Sequence, residues 1–119
     1  MRMEITDVKL KDRVEDFEKF SQDTELIKSI SYLFKAMADP TRIKIIYALS
    51  KGPLCVTDIS NMLDMSQSSI SHQLATLREQ KLIKVERISR KAIYSLDDEH
   101  VLCIFKDGYD HAEHRKTID

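Results

Sequence analysis

Histidine and carboxylate side chains gather near the C-terminus of this chain with the spacing of metal ligands. Three of the four histidines, His100, His111 and His114, lie in the last twenty residues, and Asp98 stands two positions before the first of them. On a helix, which turns by about 100° per residue, the three imidazoles share one face. Imidazoles combined with a carboxylate suit tetrahedral Zn(II) and would also accept Co(II).

The length of such a helix indicates that the site needs two chains. A rise of about 1.5 Å per residue places His100 and His111 roughly 16 Å apart along the axis. Zinc requires each ligand nitrogen within about 2.0 to 2.1 Å, which one straight helix cannot easily provide. Two antiparallel helices of a symmetric dimer can, with Asp98 and His100 of one chain meeting His111 and His114 of the other. The alternative is that these residues are exposed polar groups on a terminal amphipathic helix.

A second pair of candidate ligands, Cys55 and Asp58, lies three residues apart at the start of a predicted helix. A thiolate and a carboxylate could together hold a cation, but two ligands do not complete a site. The pair is also explained by a buried free cysteine and an aspartate that interacts favourably with a helix N-terminus. The other cysteine, Cys103, has no clear partner and is expected to pack, and a reducing compartment would keep both thiols free.

A helix with one apolar and one polar face is predicted from Ser66 to about Gln80. Its apolar stripe, Ile70, Leu74 and Leu77, has helical spacing. The opposite face carries Gln67, Ser68, Ser71, His72 and Arg78. Such a helix fits the major groove of B-DNA, where these side chains can offer donors and acceptors to base edges. The alternative is a solvated polar face, since serine-rich helix surfaces are common.

The residues after this helix alternate with a period of two, which predicts a β-hairpin over 82–96 that turns at 88–90. Residues 66–96 contain six basic and two acidic side chains, whereas residues 97–119 contain three basic and seven acidic ones. The net charge of −1 therefore hides a basic block beside an acidic one. The basic block suits an anion such as DNA, and we expect phosphate contacts from Arg78, Arg87, Arg90 and Lys91.

The elements that must position these residues are mostly helical. Apolar periodicity predicts helices over about 8–20, 26–38, 40–49, 54–63, 66–80 and 97–115. Asp39 and Pro40 provide an N-cap and a first helical residue for the third helix, and Gly52 and Pro53 end it. Helix, short turn, helix and basic hairpin is the order of a winged helix-turn-helix. The predicted fold is therefore mainly α with a small β-hairpin.

Two regions and a dimer are expected from this organisation. Residues 1–23 form an N-terminal arm and helix, and residues 24–119 form the winged domain with a C-terminal helix for dimerisation and metal sensing. One helix in one groove reads few base pairs, so such modules usually act as two-fold dimers on inverted-repeat DNA. The first and last helices offer spare apolar surface for a homodimer.

Length and composition exclude several other classes of protein. At 119 residues the chain has the size of one domain, and a 42% hydrophobic content with two glycines and two prolines is neither disordered nor collagen-like. No apolar run approaches the roughly 18 residues of a membrane span, and charges occupy the place of a signal peptide's apolar stretch. We expect a cytoplasmic protein without a membrane partner. Four protein ligands leave a metal no open position for water, so we expect no enzyme.

Three stretches of the sequence resemble the ArsR/SmtB family of metal-sensing transcriptional repressors. Residues 34–42 resemble the entry into a core helix of the family, residues 66–74 resemble its recognition helix, and residues 94–100 with His111 and His114 resemble the zinc site of its zinc-sensing members. The resemblance implies that Asp98, His100, His111 and His114 bind Zn(II). It also implies that the metal-free homodimer binds operator DNA and that zinc releases it, which derepresses genes for metal efflux or sequestration.

The second candidate site departs from the family pattern. Residues 54–58 resemble the thiolate-containing site of cadmium and lead sensors, but Thr57 stands where those sensors have another cysteine. The arm over 1–23 contains neither cysteine nor histidine, and the hairpin tip at 88–90 lacks the glycine common in the family. The alternative function is a soft-metal sensor of Cd(II) or Pb(II) that uses Cys55 and Asp58.

Overall fold

The computed structural model describes the backbone of residues 7–118 and the side chains of residues 9–116. Its contacts divide the chain into two compact units, one up to Tyr32 and one from Leu33 onward. The first unit contains helix α1 (Asp7–Gln22) and most of helix α2 (Thr24–Met37), as the sequence predicts. The carboxylate of Asp23 accepts the N–H of Leu26 at 3.1 Å and so begins α2. The predicted division into 1–23 and 24–119 stays a prediction.

The second unit is a helix-turn-helix followed by a hairpin and a long helix. Its elements are α3 (Pro40–Ser50), β1 (Leu54–Cys55), α4 (Val56–Leu63), α5 (Gln67–Glu79), β2 (Ile83–Ile88), β3 (Lys91–Leu96) and α6 (Glu99–Ile118). The three strands form an antiparallel sheet in the order β1-β3-β2. The predicted fold class, mainly helical with a small β component, is confirmed. Within residues 7–118 no helix combines the length and apolarity needed to cross a bilayer.

The prediction of a helix beginning at residue 54 was wrong in its first two residues. Leu54 and Cys55 form strand β1, which pairs with Tyr94 and Ile93 of β3, and α4 begins only at Val56. The pairing adds a third strand to the predicted hairpin. Because the partner strand is distant in sequence, local periodicity does not reveal it.

Helix α3 begins and ends at the predicted signals. The carboxylate of Asp39 accepts the N–H of Arg42 at 3.1 Å, and Pro40 occupies the first helical position. The helix ends at Ser50, and Gly52 follows two residues later with a φ of +146°. Glycine adopts this angle readily, whereas other residues adopt it only with strain. The start of α3 is thus fixed by local chemistry.

The apolar core of the second unit determines which side of α5 faces inward. The most deeply buried large side chains are Ile45, Ile46, Ile59, Ile70, Leu74, Leu77 and Leu82. Three of these belong to α5 and form its predicted apolar stripe, which packs with α3 and α4 in one cluster. The polar side of α5 therefore faces away from the core.

The hairpin turns more tightly than the sequence predicts. Ile88 and Lys91 still pair across the ladder, so only Ser89 and Arg90 form the turn. Their φ angles are +48° and +73°, the left-handed pair typical of a type I′ turn. Neither residue is glycine or asparagine, which such turns favour, so the turn carries backbone strain.

Candidate nucleic-acid interface and metal site

A compact turn places helix α5 directly after α4. The N–H of Met65 donates to the carbonyl of Ser60 at 3.1 Å, and the buried hydroxyl of Ser60 donates to the carbonyl of Met65. Asp64, with a φ of +54°, turns the chain out of α4. Ser66 then caps α5 by accepting the N–H of Ser69 at 3.1 Å, as the sequence predicts.

The side chains predicted to read bases all lie on the exposed side of α5. They are Gln67, Ser68, Ser71 and His72. Gln67 also donates from Nε2 to the hydroxyl of Thr57 in α4, at 3.2 Å, so part of its hydrogen-bonding capacity is used within the protein. The other three face solvent from the first half of the helix, where a major groove would receive them. Their contacts with bases stay a prediction.

Basic side chains extend from α5 to the hairpin. Arg78, Arg87, Arg90 and Lys91 are all exposed. Arg87 of β2 donates from Nη1 to the carbonyl of Arg90 in the turn, at 3.3 Å. Exposed cations on the helix and on the hairpin beside it can approach the backbone of one duplex.

Asp98 and His100 meet at the start of α6. Oδ1 of Asp98 lies 3.5 Å from Nδ1 of His100 and accepts the N–H of Val101 at 3.1 Å. The His100 side chain is 91% exposed and that of Asp98 is 50% exposed, so both are open to a ligand. The hydrogen bond from Val101, supported by His100, holds the pKa of Asp98 below its usual range. The carboxylate is therefore ionised at neutral pH, as a cation ligand must be.

His111 and His114 lie on the exposed surface further along α6, three residues apart on one face. Because α6 is one continuous helix, His100 and His111 lie roughly 16 Å apart along its axis. Among the side chains of residues 9–116, no three His, Cys, Asp or Glu groups converge within one chain to hold a metal. The structure thus brings Asp98 to His100 but not these two to His111 and His114.

Cys55 and Asp58 are joined by local hydrogen bonds at the start of α4. The thiol of Cys55 lies 3.1 Å from Oδ2 of Asp58, and the N–H of Cys55 donates to the same oxygen at 3.4 Å. These two bonds, the thiol's first, lower the pKa of Asp58. Both cysteines are free thiols as predicted, but Cys103 is exposed, so the expectation that it packs was wrong.

Sequence reasoning missed two features of the second unit. The first is a hydrogen bond from Nη1 of Arg42 in α3 to Oε1 of Gln73 in α5, at 3.1 Å. The second is an open apolar groove of about 1150 Å³ between α3 and α6, whose walls include Phe34, Tyr47 and Tyr109. Tyr47 and Tyr109 are stacked with ring centroids 6.1 Å apart, and the charge of Glu113 raises the pKa of Tyr109. The aromatic spacing along α6 was visible in the sequence, but its partner on α3 was not.

Comparison with known proteins places these features in a family. The sequence profile of bacterial regulatory proteins of the arsR family matches residues 39–85. The chain is 38% identical over 86 residues to a transcriptional repressor SmtB homolog of Synechocystis sp.. This match covers 72% of this chain and 65% of that protein, which is just under two thirds of its length. It is 37% identical over 92 residues to the HTH-type transcriptional regulator NmtR of Mycobacterium tuberculosis, covering 77% of each.

Another relative and a solved structure are also similar to this chain. A cadmium resistance transcriptional regulatory protein CadC homolog of Staphylococcus aureus is 39% identical over 90 residues, covering 75% of this chain and 74% of that one. The homodimeric winged helix-turn-helix DNA-binding domain of a possible ArsR-family regulator from Mycobacterium bovis superposes with a TM-score of 0.79. That comparison has 21% identity and covers 82% of this chain and 91% of that domain.

The order of elements and the outward polar face of α5 define a winged helix-turn-helix fold. Its relatives are transcriptional regulators and not enzymes. The chain belongs to the ArsR family of bacterial transcriptional regulators.

Proposed function

We propose that this protein is a metal-responsive transcriptional repressor. Its metal-free homodimer binds operator DNA, and Zn(II) releases the dimer, which derepresses genes for metal efflux or sequestration. The observation that carries the proposal is the exposed, ionised Asp98 in contact with His100, on the same helix as the exposed face that bears His111 and His114. Because its target is DNA, we place its action in the cytoplasm.

The DNA-binding part of the proposal rests on α5 and the hairpin. The exposed face formed by Gln67, Ser68, Ser71 and His72 reads base edges, and Arg78, Arg87, Arg90 and Lys91 contact phosphates. Two copies related by two-fold symmetry would present two such helices to an inverted repeat. We therefore propose an inverted-repeat operator.

Exposed apolar surface supports the homodimer. Phe34 is 54% exposed, and Tyr47 and Tyr109 are 43% and 46% exposed along the apolar groove between α3 and α6. An exposed apolar groove of this kind is typical of interaction sites, among them protein–protein interfaces. The related domain from Mycobacterium bovis is itself described as homodimeric. Sedimentation of the metal-free protein as a monomer at working concentrations would contradict this part.

The candidate ligands on α6 and just before it would fit Zn(II) once two chains are present. Asp98 and His100 of one chain and His111 and His114 of its partner would supply one carboxylate and three imidazoles, a ligand set that zinc accepts. The bound metal would tie the start of one α6 to the later turns of the other. Zinc must bind the low-affinity conformation of the dimer more tightly, and by linkage DNA weakens zinc binding by the same factor.

A soft-metal sensor is the second candidate function. Cys55 is half-buried with its sulfur 3.1 Å from Oδ2 of Asp58, which is a ready pair of ligands for Cd(II) or Pb(II). The similar Staphylococcus aureus protein is a cadmium resistance regulator. Among the side chains of residues 9–116, no third His, Cys, Asp or Glu joins this pair.

Fluorescence anisotropy of a labelled inverted-repeat duplex, titrated first with metal-free protein and then with Zn(II), Cd(II) or Ni(II), tests both candidates. We expect Zn(II) to release the DNA at about one metal per chain. The double variant His100→Ala with His114→Ala should stay bound, whereas Lys106→Ala, exposed on the same helix, should respond like the wild type. Release by Cd(II) alone, abolished by Cys55→Ser, would move the sensor to Cys55, and an intact zinc response in the double histidine variant would refute the α6 site.

A further inference from the structure

Arg42 of α3 is bonded to the last turn of α2 and to α5, both within the second unit. It lies in the first turn of α3, where its N–H donates to Asp39. Its Nε donates to the carbonyl of Ala36 in the last turn of α2 at 2.5 Å, and its Nη1 donates to Oε1 of Gln73 in α5 at 3.1 Å. The bond to Gln73 joins residues 31 positions apart.

Arginine is the side chain best suited to this bridge. The planar guanidinium offers several donors in fixed directions, so one side chain can bind two acceptors on different elements at once. The first acceptor is a carbonyl at the negative end of a helix, where a cation is favoured. Lysine has one flexible ammonium group and cannot donate to both acceptors in this geometry.

The second acceptor lies inside the helix that presents the predicted base contacts. Gln73 directly follows the exposed His72 and precedes the buried Leu74, and its own side chain is half-buried. The apolar contacts of Leu74 and Ile70 hold α5 against the core, but such contacts have no direction and allow small rotations. A hydrogen bond from Arg42 is directional, so it fixes the rotation of α5 about its axis.

We propose that Arg42 is a positioning residue for DNA reading, acting through Gln73 on the orientation of α5. This inference rests on the proposed reading of DNA by α5. It assigns Arg42 to sequence selectivity and not to phosphate contact, because its Nε and Nη1 each donate to a protein acceptor in a partly buried place. A loss of the bridge should weaken binding to the preferred sequence and leave non-specific binding unchanged.

The test uses a duplex that the wild-type protein enriches from a random-sequence library, together with a scrambled duplex of equal length. Arg42→Lys and Gln73→Ala should each weaken the enriched duplex about tenfold, the low end of what a hydrogen bond to a charged group contributes. Affinity for the scrambled duplex should stay within about twofold of the wild type, since phosphate contacts carry non-specific binding. The double variant should be no weaker than Arg42→Lys alone, because both changes remove the same bond.

Other outcomes would overturn the proposal. If the two losses multiply in the double variant, the residues act independently. If Arg42→Met lowers affinity for both duplexes and reduces the salt slope by about one, as we expect of the exposed Arg78→Met, Arg42 is a phosphate contact. Melting curves run on each variant separate a folding defect from a binding defect, and Gln73→Ala keeps the test open if Arg42 variants do not fold.

Failure of the proposed function would look different. A wild-type protein that enriches no duplex refutes DNA reading by α5, and with it the role of Arg42. A wild-type protein that enriches a duplex, with Gln73→Ala binding it as tightly as the wild type, refutes only the role of Arg42.

Discussion

The carboxylate of Asp98 and the imidazole of His100 lie 3.5 Å apart at the start of α6. The same carboxylate accepts the N–H of Val101, so it also caps the helix. Asp98 therefore has two roles: it stabilises the start of α6, and it is a candidate ligand for a cation.

Substitutions at Asp98 should separate these two roles. Asp98→Asn keeps an acceptor suited to an N-cap but removes the charge, so metal-free melting should change little while zinc affinity falls at least about tenfold. Asp98→Ala should lose both properties and melt at a lower temperature. Thermal denaturation and competition with a zinc indicator measure the two effects, and unchanged zinc affinity in Asp98→Asn would exclude this residue as a ligand.

The strained hairpin tip predicts opposite effects on stability and DNA binding. Arg90→Gly relieves a residue held at a φ of +73° and should stabilise the fold by up to about 1 kcal/mol. It should also weaken binding to all duplexes and lower the salt slope by about one. Ser89→Asn, the matched control, relieves strain without removing charge and should leave DNA binding unchanged. Denaturant unfolding and anisotropy at several salt concentrations provide both readouts, and an unaltered salt slope in Arg90→Gly would remove Arg90 from the phosphate contacts.

Truncation of the core side of α5 should be costly. Leu74 is 1% exposed, so Leu74→Ala should lower the free energy of unfolding by about 2 to 5 kcal/mol. Ile88→Ala on the exposed hairpin should cost under about 1 kcal/mol. Urea unfolding of the metal-free protein compares the two variants. Similar costs for both would show that α5 is not held by this core.

Acid should remove the contribution of Asp58 to stability. Its pKa in the folded protein lies below the usual 3.8, because the thiol and N–H of Cys55 favour the ionised form. A group with a lowered folded pKa stabilises the fold above its unfolded pKa, and this contribution disappears as the pH falls through the folded pKa. Metal-free wild type should therefore be more stable than Asp58→Asn at neutral pH, and the difference should shrink below a pH of about 4. A difference that does not vary with pH would argue against the ionised cap.

The parts of the fold that could be predicted are those with local causes. Asp39 and Pro40 begin α3, and Ser66 begins α5, because a cap acts within three residues of itself. Strand β1 was not predictable, since two residues acquire strand geometry only by pairing with Tyr94 and Ile93. The bond from Arg42 to Gln73 escaped the sequence for the same reason.

The candidate metal site could be predicted only in part. The spacing of His111 and His114 follows from the period of a helix, and the contact of Asp98 with His100 follows from a helix start. Whether the two pairs meet depends on how two chains pack, which neither the sequence pattern nor a single chain determines.

The turn between α4 and α5 has a mechanical consequence. Hydrogen bonds between Ser60 and Met65 close this turn, and Gln67 is tied back to Thr57. These bonds restrict changes in the angle between α4 and α5. We therefore expect a signal that reorients α5 to move α4 together with it.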